Sequence, residues 1–575
     1  LEFRRVLFRS MEKLLIAALC FFSLSAKAAT RTEKEMSQAA CQALSALFVP
    51  TLRANGMPQK APSTMQKLYA DDQLAVYGAA QGGYALVAYN DEWPAVLACS
   101  PHDFAGVSAS LAWYMEAVKQ AMAAKVPSEA GLPASYGYES AVQPFVETHW
   151  GQTKPYNQLC PANTSGEHYL TGCVATAMAQ IMRYHGYPAH GKGTNTYGFT
   201  PHGEAGTGYN ITVDFSAASY DWKNMLASYK KGYNAQQAKA VSTLMYHCGV
   251  SVSMQYSMTF SGAFTREARE AFIKHFGYDE GANICTRDFY SANEWMRLVY
   301  GELNARRPIY YTGVDNNAGG HAFVLCGYDA QGRVWVNWGW DGNDDGYYNI
   351  ALLNPGTLAF SSRQDMVIGI SPKKVMEHES HLCMDQPFTV SRAGKNVSIN
   401  GSNVINRGGA PFVGRVAVVM QKSNKQLLLC STNITSPIAN YDHQSVSSLY
   451  TVHSMPTGIE DGVWRVFMGS RDSEDKDWRL VRHWNGNQNN YNSAMVTIRS
   501  GRIVNVSQED DDRWFTTGIT APRAEPSATS ATRVYDIEGR LVLTLPHGGY
   551  TASTPLPGKG MFIIKQGSHT WKVFR

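Results

Sequence analysis

Apolar residues recur at Val174, Ala177, Met178, Ile181 and Met182, the spacing of one helix face, and Gly186 and Pro188 close the run. The spacing predicts a helix over Cys173–Tyr184. The same period recurs over Ala235–Cys248, Ala263–Phe276 and Ala292–Ala305. The pattern then switches to strands in "PIYYTG", "HAFVLCGYD", "RVWVNWGW" and "GYYNIAL". Residues from about Val142 to Pro372 therefore read as one α+β unit, a helical half followed by an antiparallel strand half. From Thr32 to about Val126 a smaller α+β unit is predicted. It holds a helix in "EMSQAACQALSALF", two or three strands in "AVYGAAQGGYALVAYNDEWPAVLACS" and a helix in "SASLAWYMEAVKQAMAAK". "VPSEAGLPASYGYES" reads as an exposed linker of the kind that is cut. Residues 375–515 alternate as strands, as in "RVAVVMQ" and "GVWRVFMGS". "APRAEPSATSAT" links them to a last small β unit, Arg533–Arg575.

The beginning of the chain changes the cellular picture. "LEFRRVLFRS", Leu1 to Ser10, precedes Met11 and reads as an assembly scar. Glu12 and Lys13 then lead into the apolar run "LLIAALCFF", with Ala26 and Ala28 at the small-residue positions of a signal-peptidase site. Residues 11–28 are thus expected to be a signal peptide, and the mature chain to begin near Ala29. The run is shorter than the roughly 20 apolar residues that span a bilayer, and no later window is longer, so no stable membrane span is expected.

Composition adds exclusions. The 575 residues are 44% hydrophobic and 17% charged, as in ordinary globular domains, and a net charge of +4 asks for no nucleic-acid partner. Ten cysteines occur, Cys20 within the signal; the nine beyond it form no CxxC pair and no Cys/His set with zinc spacing, and an odd count leaves at least one thiol unpaired. "HESH", His378 to His381, lacks the i, i+4 histidine pair of a helical zinc motif. "EDDD" at Glu509–Asp512 reads as a solvated turn. "DGNDDG", Asp341 to Gly346, is rich in oxygen ligands but lacks the length and terminal Glu of an EF-hand loop, and reads as a hairpin turn. No metal or cofactor is expected.

One group of residues suggests chemistry. Cys173 stands at the opening of its predicted helix, where unpaired N–H groups and the positive end of the dipole favour an anion. A thiolate is such an anion, and such positions lower a thiol's pKa from about 8.5. A thiolate nucleophile needs a proton carrier. His321, after two glycines and at the start of a strand, is placed to project into a cleft. The carrier needs a group to hold its tautomer, and Asn337 lies a hairpin's length away, with Trp338 able to cover the pair. An attacked carbonyl oxygen needs donors: the N–H of Cys173 and the side-chain amide of Gln152, in "HWGQTKPYNQLCP", are the candidates.

Four segments in order, "WGQTKPYNQLCP", "TGCVATAMAQIMRYHGYP", "GGHAFVLCGYD" and "VWVNWGWDGNDDGYYNI", resemble the streptopain family of papain-like cysteine peptidases, in its interpain branch. The resemblance covers about residues 30–372 and implies a papain-like domain over 136–372 behind an inhibitory propeptide over 29–135. It implies Cys173 as nucleophile, His321 as general base and acid, Gln152 as oxyanion-hole amide, and Asn337 with Trp338 positioning and shielding the imidazole. "LMYHCGVSVSMQYSMTFSGAF" resembles the family's substrate cleft, which puts Met254 and Ser261 near the pocket. "VYDIEGRLV" and "GKGMFIIKQGSHTWKVFR" resemble the C-terminal sorting domain of proteins exported by the type IX secretion system, which would make that machinery a partner of residues 530–575 and place the protein outside the cell or on its outer surface. Residues 373–520 are expected to be a β-sandwich-like accessory domain.

The expectation is therefore a secreted zymogen, held latent by its own first unit and released by cutting near residues 127–141. It would hydrolyse peptide bonds of proteins through a thioester. Two alternatives use the same residues differently: a surface adhesin with an inert papain-like unit, and a cell-wall peptide amidase working through the same Cys–His pair.

Overall fold

The computed structural model describes residues 30–509, apart from internal stretches such as 55–64, 354–363 and 484–492, together with four strand segments between 532 and 574. The signal run, "HESH", most of "EDDD", part of the first linker and all of the second but its last residue lie outside the described residues. Two compact units are present, one of Leu1–Pro133 with Tyr138–Asp510 and one of Ala134–Gly137 with Asp511–Arg575. No helix among the described residues is long and apolar enough to cross a membrane.

The first unit begins with helix α1 (Glu33–Ala54). A reciprocal capping box sets its start: Thr32 N donates to the Glu35 carboxylate, and Glu35 N to the Thr32 hydroxyl. Strands β1 (Met65–Ala70), β2 (Leu74–Ala79), β3 (Tyr84–Ala88) and β4 (Val96–Ser100) form an antiparallel meander, followed by helix α2 (Ala109–Ala124). Then come α3 (Cys173–His185), a hairpin of β5 (Thr194–Phe199) and β6 (Tyr209–Asp214), α4 (Ala235–Ser251), α5 (Thr265–Lys274), β7 (Asn283–Thr286) and α6 (Ala292–Asn304). Strands β8 (Ile309–Asp315), β9 (Gly319–Tyr328), β10 (Val334–Asn337), β11 (Gly346–Tyr348) and β12 (Asp365–Ile368) complete the region.

The first α+β unit and the second were read as separate domains, yet one antiparallel ten-stranded sheet runs through both, in the order β1-β2-β3-β4-β11-β10-β9-β8-β12-β7. The join is short: Tyr347 pairs with Cys99 and Tyr348 with Ala98. Two strands at the far edge, β7 and β12, and the β5–β6 hairpin went unread in the sequence. Each is brief or half-exposed, with little periodic signal.

Helix α3 is the axis of this unit. The apolar stripe predicted one buried face, but every residue from Cys173 to Met182 is buried, Thr176 and Gln180 included. A helix packed on all sides must satisfy its polar side chains internally, and those two do so at the site described below. Gly186, in the left-handed conformation, ends the helix.

Between Leu382 and Glu509, sheets that are antiparallel but for one parallel pair, Cys383 beside Arg482, share a second core around Phe388, Val418, Trp464 and Val496. In the second unit, segments 532–535, 541–545, 561–566 and 569–574 form one four-stranded antiparallel sheet.

Candidate active site

Gly172 sets the entry to α3. Its φ of 86° is a conformation that L side chains rarely adopt, and an added Cβ would lie 2.7 Å from the Met254 sulfur and 2.9 Å from the Ser261 carbonyl oxygen. The backbone is thereby pressed against the 254–261 hairpin, and Cys173 is delivered at the helix's first turn. The residue is buried, 7% exposed. Burial pushes the thiol up; the amides of Ala322, Val174 and Cys173 itself pull it back down by facing the sulfur. Cys326 also faces two backbone amides, those of Val146 and Phe145, and Cys160 the Tyr256 hydroxyl, yet burial outweighs them. Burial drives Cys99 up to about 11, and Cys160 and Cys326 up to about 12. Cys173 has three facing amides, one of them that of Ala322, beside His321.

Ala322 follows His321 on β9, so the sulfur lies beside the backbone that carries the imidazole. Among the described residues no hydrogen bond joins thiol and ring. The ring's Nε2 lies 2.9 Å from the Trp338 carbonyl oxygen. A carbonyl only accepts, so Nε2 holds the proton and the neutral ring keeps its lone pair on Nδ1. The ring lies parallel to Trp340, centroids 5.4 Å apart, and to Trp338 at 6.1 Å. Burial among these rings pushes the imidazole down to about 4. In this form both thiol and imidazole are neutral.

Asn337 does not meet His321. Its Nδ2 donates to the Thr148 carbonyl at 2.5 Å, and its Oδ1 accepts from Gln180 Nε2 at 2.9 Å and Gly339 N at 3.1 Å. Register explains the difference: Asn337 pairs with Val324, an odd number of residues from His321, so the two side chains leave opposite faces of the sheet. Trp338, one residue on, falls on the face of His321. Gln180, unread in the sequence, ties α3 to this junction; its Oε1 also accepts from the Thr148 hydroxyl at 3.0 Å. The signal was a polar amide set within the apolar stretch Ala177–Met182.

Gln152 is buried, and its carbonyl accepts from Thr171 N at 3.1 Å, two residues before Cys173. Met254 and Ser261 do border the helix start, but both are buried, and the Ser261 hydroxyl is spent locally on Ser257. The exposed apolar residues of that hairpin are Met258, Phe260 and, at its end, Phe264, which is 76% exposed.

The first α+β unit closes over the imidazole's wall. Trp113 of α2 meets Trp338 and Phe323 edge-on, at 6.0 and 6.1 Å, and lies where Gly313 has no side chain. Ser100 donates to the Asp345 carbonyl at 2.7 Å, and Tyr84 to the Asp344 carboxylate at 2.7 Å.

A thiol steadied by amides at a helix N-terminus, next to a strand-borne imidazole and roofed by an N-terminal segment, places the molecule among latent thiol hydrolases. Residues 150–348 match the Peptidase C10 family. Streptopain of Streptococcus pyogenes is 32% identical over 326 residues, 52% of this chain and 81% of that protein. The thiol protease/hemagglutinin PrtT of Porphyromonas gingivalis is 32% identical over 315 residues, 50% of this chain and 36% of that one. The solved structure of Prevotella intermedia prointerpain A is 37% identical, covers 54% of this chain and 99% of its own, and superposes with a TM-score of 0.50. The chain belongs to the Peptidase C10, or streptopain, family. It is a cysteine peptidase made as a zymogen.

Proposed function

We propose that Cys173 is the nucleophile of this peptidase and His321 its base and acid. The observation that carries this is the Cys173 sulfur lying on the Ala322 amide, one residue from an imidazole whose Nδ1 is free to take a proton. The thiol passes its proton to Nδ1, and the sulfur adds to the carbonyl carbon of a peptide bond. The Cys173 N–H and the Gln152 amide steady the oxyanion. The imidazolium returns the proton to the leaving amine, and a thioester remains. His321 then deprotonates a water that attacks it, freeing the acid and the thiol. Trp338 shields the imidazole and holds it through its carbonyl. Asn337, with Gln180, fixes the joint between helix and sheet. Met254 and Ser261 shape the cleft from below, and Phe260 and Phe264 offer apolar surface to a substrate.

The substrates proposed are proteins and peptides, met outside the cell or at its outer surface after export behind residues 11–28. Residues 29–135 act as the propeptide, 136–372 as the papain-like peptidase and 373–520 as a β-sandwich-like accessory domain. The Trp113 contacts support an autoinhibitory role for the propeptide, ended by cutting at 127–141. Residues 530–575 are the type IX sorting domain; the sheet of segments 532–574 agrees with the motifs that suggested it. The test is direct. Matured protein should cleave denatured casein, and the Cys173→Ala protein should neither cleave it nor cut its own linker. Casein cleavage by Cys173→Ala refutes the assignment; normal maturation of that variant in purified form refutes self-cleavage alone.

A further inference from the structure

Trp338 is held from two sides. Its carbonyl accepts from His321 Nε2, and its N–H donates to Asp345 Oδ1 at 2.9 Å. The other carboxylate oxygen, Oδ2, lies 3.0 Å from His149 Nδ1. Asp345 has no exposed surface. A carboxylate in that position is costly unless bonded, so its two partners define what it is there to do. We propose that Asp345 is a positioning residue of the peptidase. It anchors the Trp338 backbone and so fixes the carbonyl against which the His321 imidazole is oriented. This rests on the assignment of Cys173 and His321 as the reacting pair.

The local backbone explains why such an anchor is needed. Strand β10 ends at Asn337, so the Trp338 N–H points to the carboxylate and not to a strand partner. The turn that follows runs through left-handed residues at Gly339, Asp341, Gly342 and Asp344. Its own backbone bonds, Asn343 N to Trp340 O and Asp345 N to Gly342 O, close the tip, and strand pairing resumes at Val336 and Gly346, so the Trp338 N–H between them is held by the carboxylate. The Asp345 side chain spans the base. His149, at the other oxygen, comes from the segment that leads to Gln152, so one carboxylate ties the imidazole's support to the strand of chain carrying the candidate oxyanion amide. The first α+β unit touches Asp345 through its backbone carbonyl, by way of Ser100. The carboxylate's own bonds lie wholly within the peptidase region and survive removal of that unit.

The test uses the full chain carrying Asp345→Ala, Asp345→Asn, His149→Ala or Cys173→Ala, each matured by trace wild-type enzyme. Two readouts are taken: kcat and KM on a peptide substrate, and the pH profile of iodoacetamide alkylation at Cys173, followed by mass spectrometry. Asp345→Ala is expected to lower kcat about tenfold or more with KM changed less than about threefold, and to shift the alkylation profile. Asp345→Asn keeps one acceptor for Trp338 N–H but no second acceptor for His149, and is expected to recover part of the loss while staying about threefold below wild type. His149→Ala is expected to lower kcat in the same direction by less. Wild-type kcat and an unshifted profile in Asp345→Asn overturn the proposal, and that variant decides if Asp345→Ala does not fold. A loss in both Asp345 variants with an unshifted profile also overturns it, as mere structural damage. An active Cys173→Ala sinks the underlying assignment; an inactive one beside a normal Asp345→Asn sinks this inference alone.

Discussion

At the scale of single residues, one backbone position and one strand register decide the chemistry. Gly172 places the nucleophile, and its strain is tolerated because glycine alone has no Cβ to strike Met254. Gly172→Ala is expected to cost about 1–3 kcal/mol of stability through the left-handed φ and the overlap. It should also lower kcat/KM by displacing Cys173 from its amides; denaturant unfolding and steady-state rates check both. Cys173 itself was legible from its place at a helix start, and His321 from two glycines and a strand. Asn337 was legible as a buried polar residue near the site but not in its partner. The parity of the β9–β10 register sends its amide to Thr148, Gln180 and Gly339 instead of to the imidazole.

At the scale of elements, α2 acts on the site through one side chain. Trp113 fills the space over Gly313 and braces Trp338 and Phe323. Deleting a buried aromatic ring costs about 3–5 kcal/mol at its site. Here that loss would fall on the contact between the first unit and the wall of the imidazole. Trp113→Ala is therefore expected to mature faster than wild type, followed by gel time course. If residues 29–135 are shed, the matured enzyme should keep wild-type kcat/KM. Unchanged maturation would mean that the sheet joint at β4–β11, and not the ring, sustains latency. Sequence periodicity announced α2 as amphipathic, but it carried no sign of which surface the apolar face would meet.

At the scale of the whole molecule, burial of histidines predicts an acid response. His185, His247 and His321 are pushed down to about 4 by burial, and His102 and His275 are pushed down as well. In the unfolded chain these rings take up protons near pH 6.5; in the folded zymogen they take them up only at lower pH, about 4 for His185, His247 and His321. The unfolded state thus binds more protons across that window, so stability is highest above it and falls as pH drops through it. The Cys173→Ala zymogen should show a Tm that declines from pH 7 to pH 4.5. A flat Tm over that range would mean the rings are solvated in solution.

The order of elements, the thiol at a helix start, the strand that bears the imidazole and the division into a latent enzyme followed by β-rich regions were all written locally, in periodicity and in contiguous motifs. Such features depend on neighbours a few residues apart. The shared ten-stranded sheet, the role of Gln180, the partners of Asn337 and the anchor at Asp345 depend on residues far apart in the chain, as with Ser100 and Asp345, 245 positions apart. Those contacts arise from register and packing, which no local pattern encodes, because one residue of slip reverses every side chain on a strand.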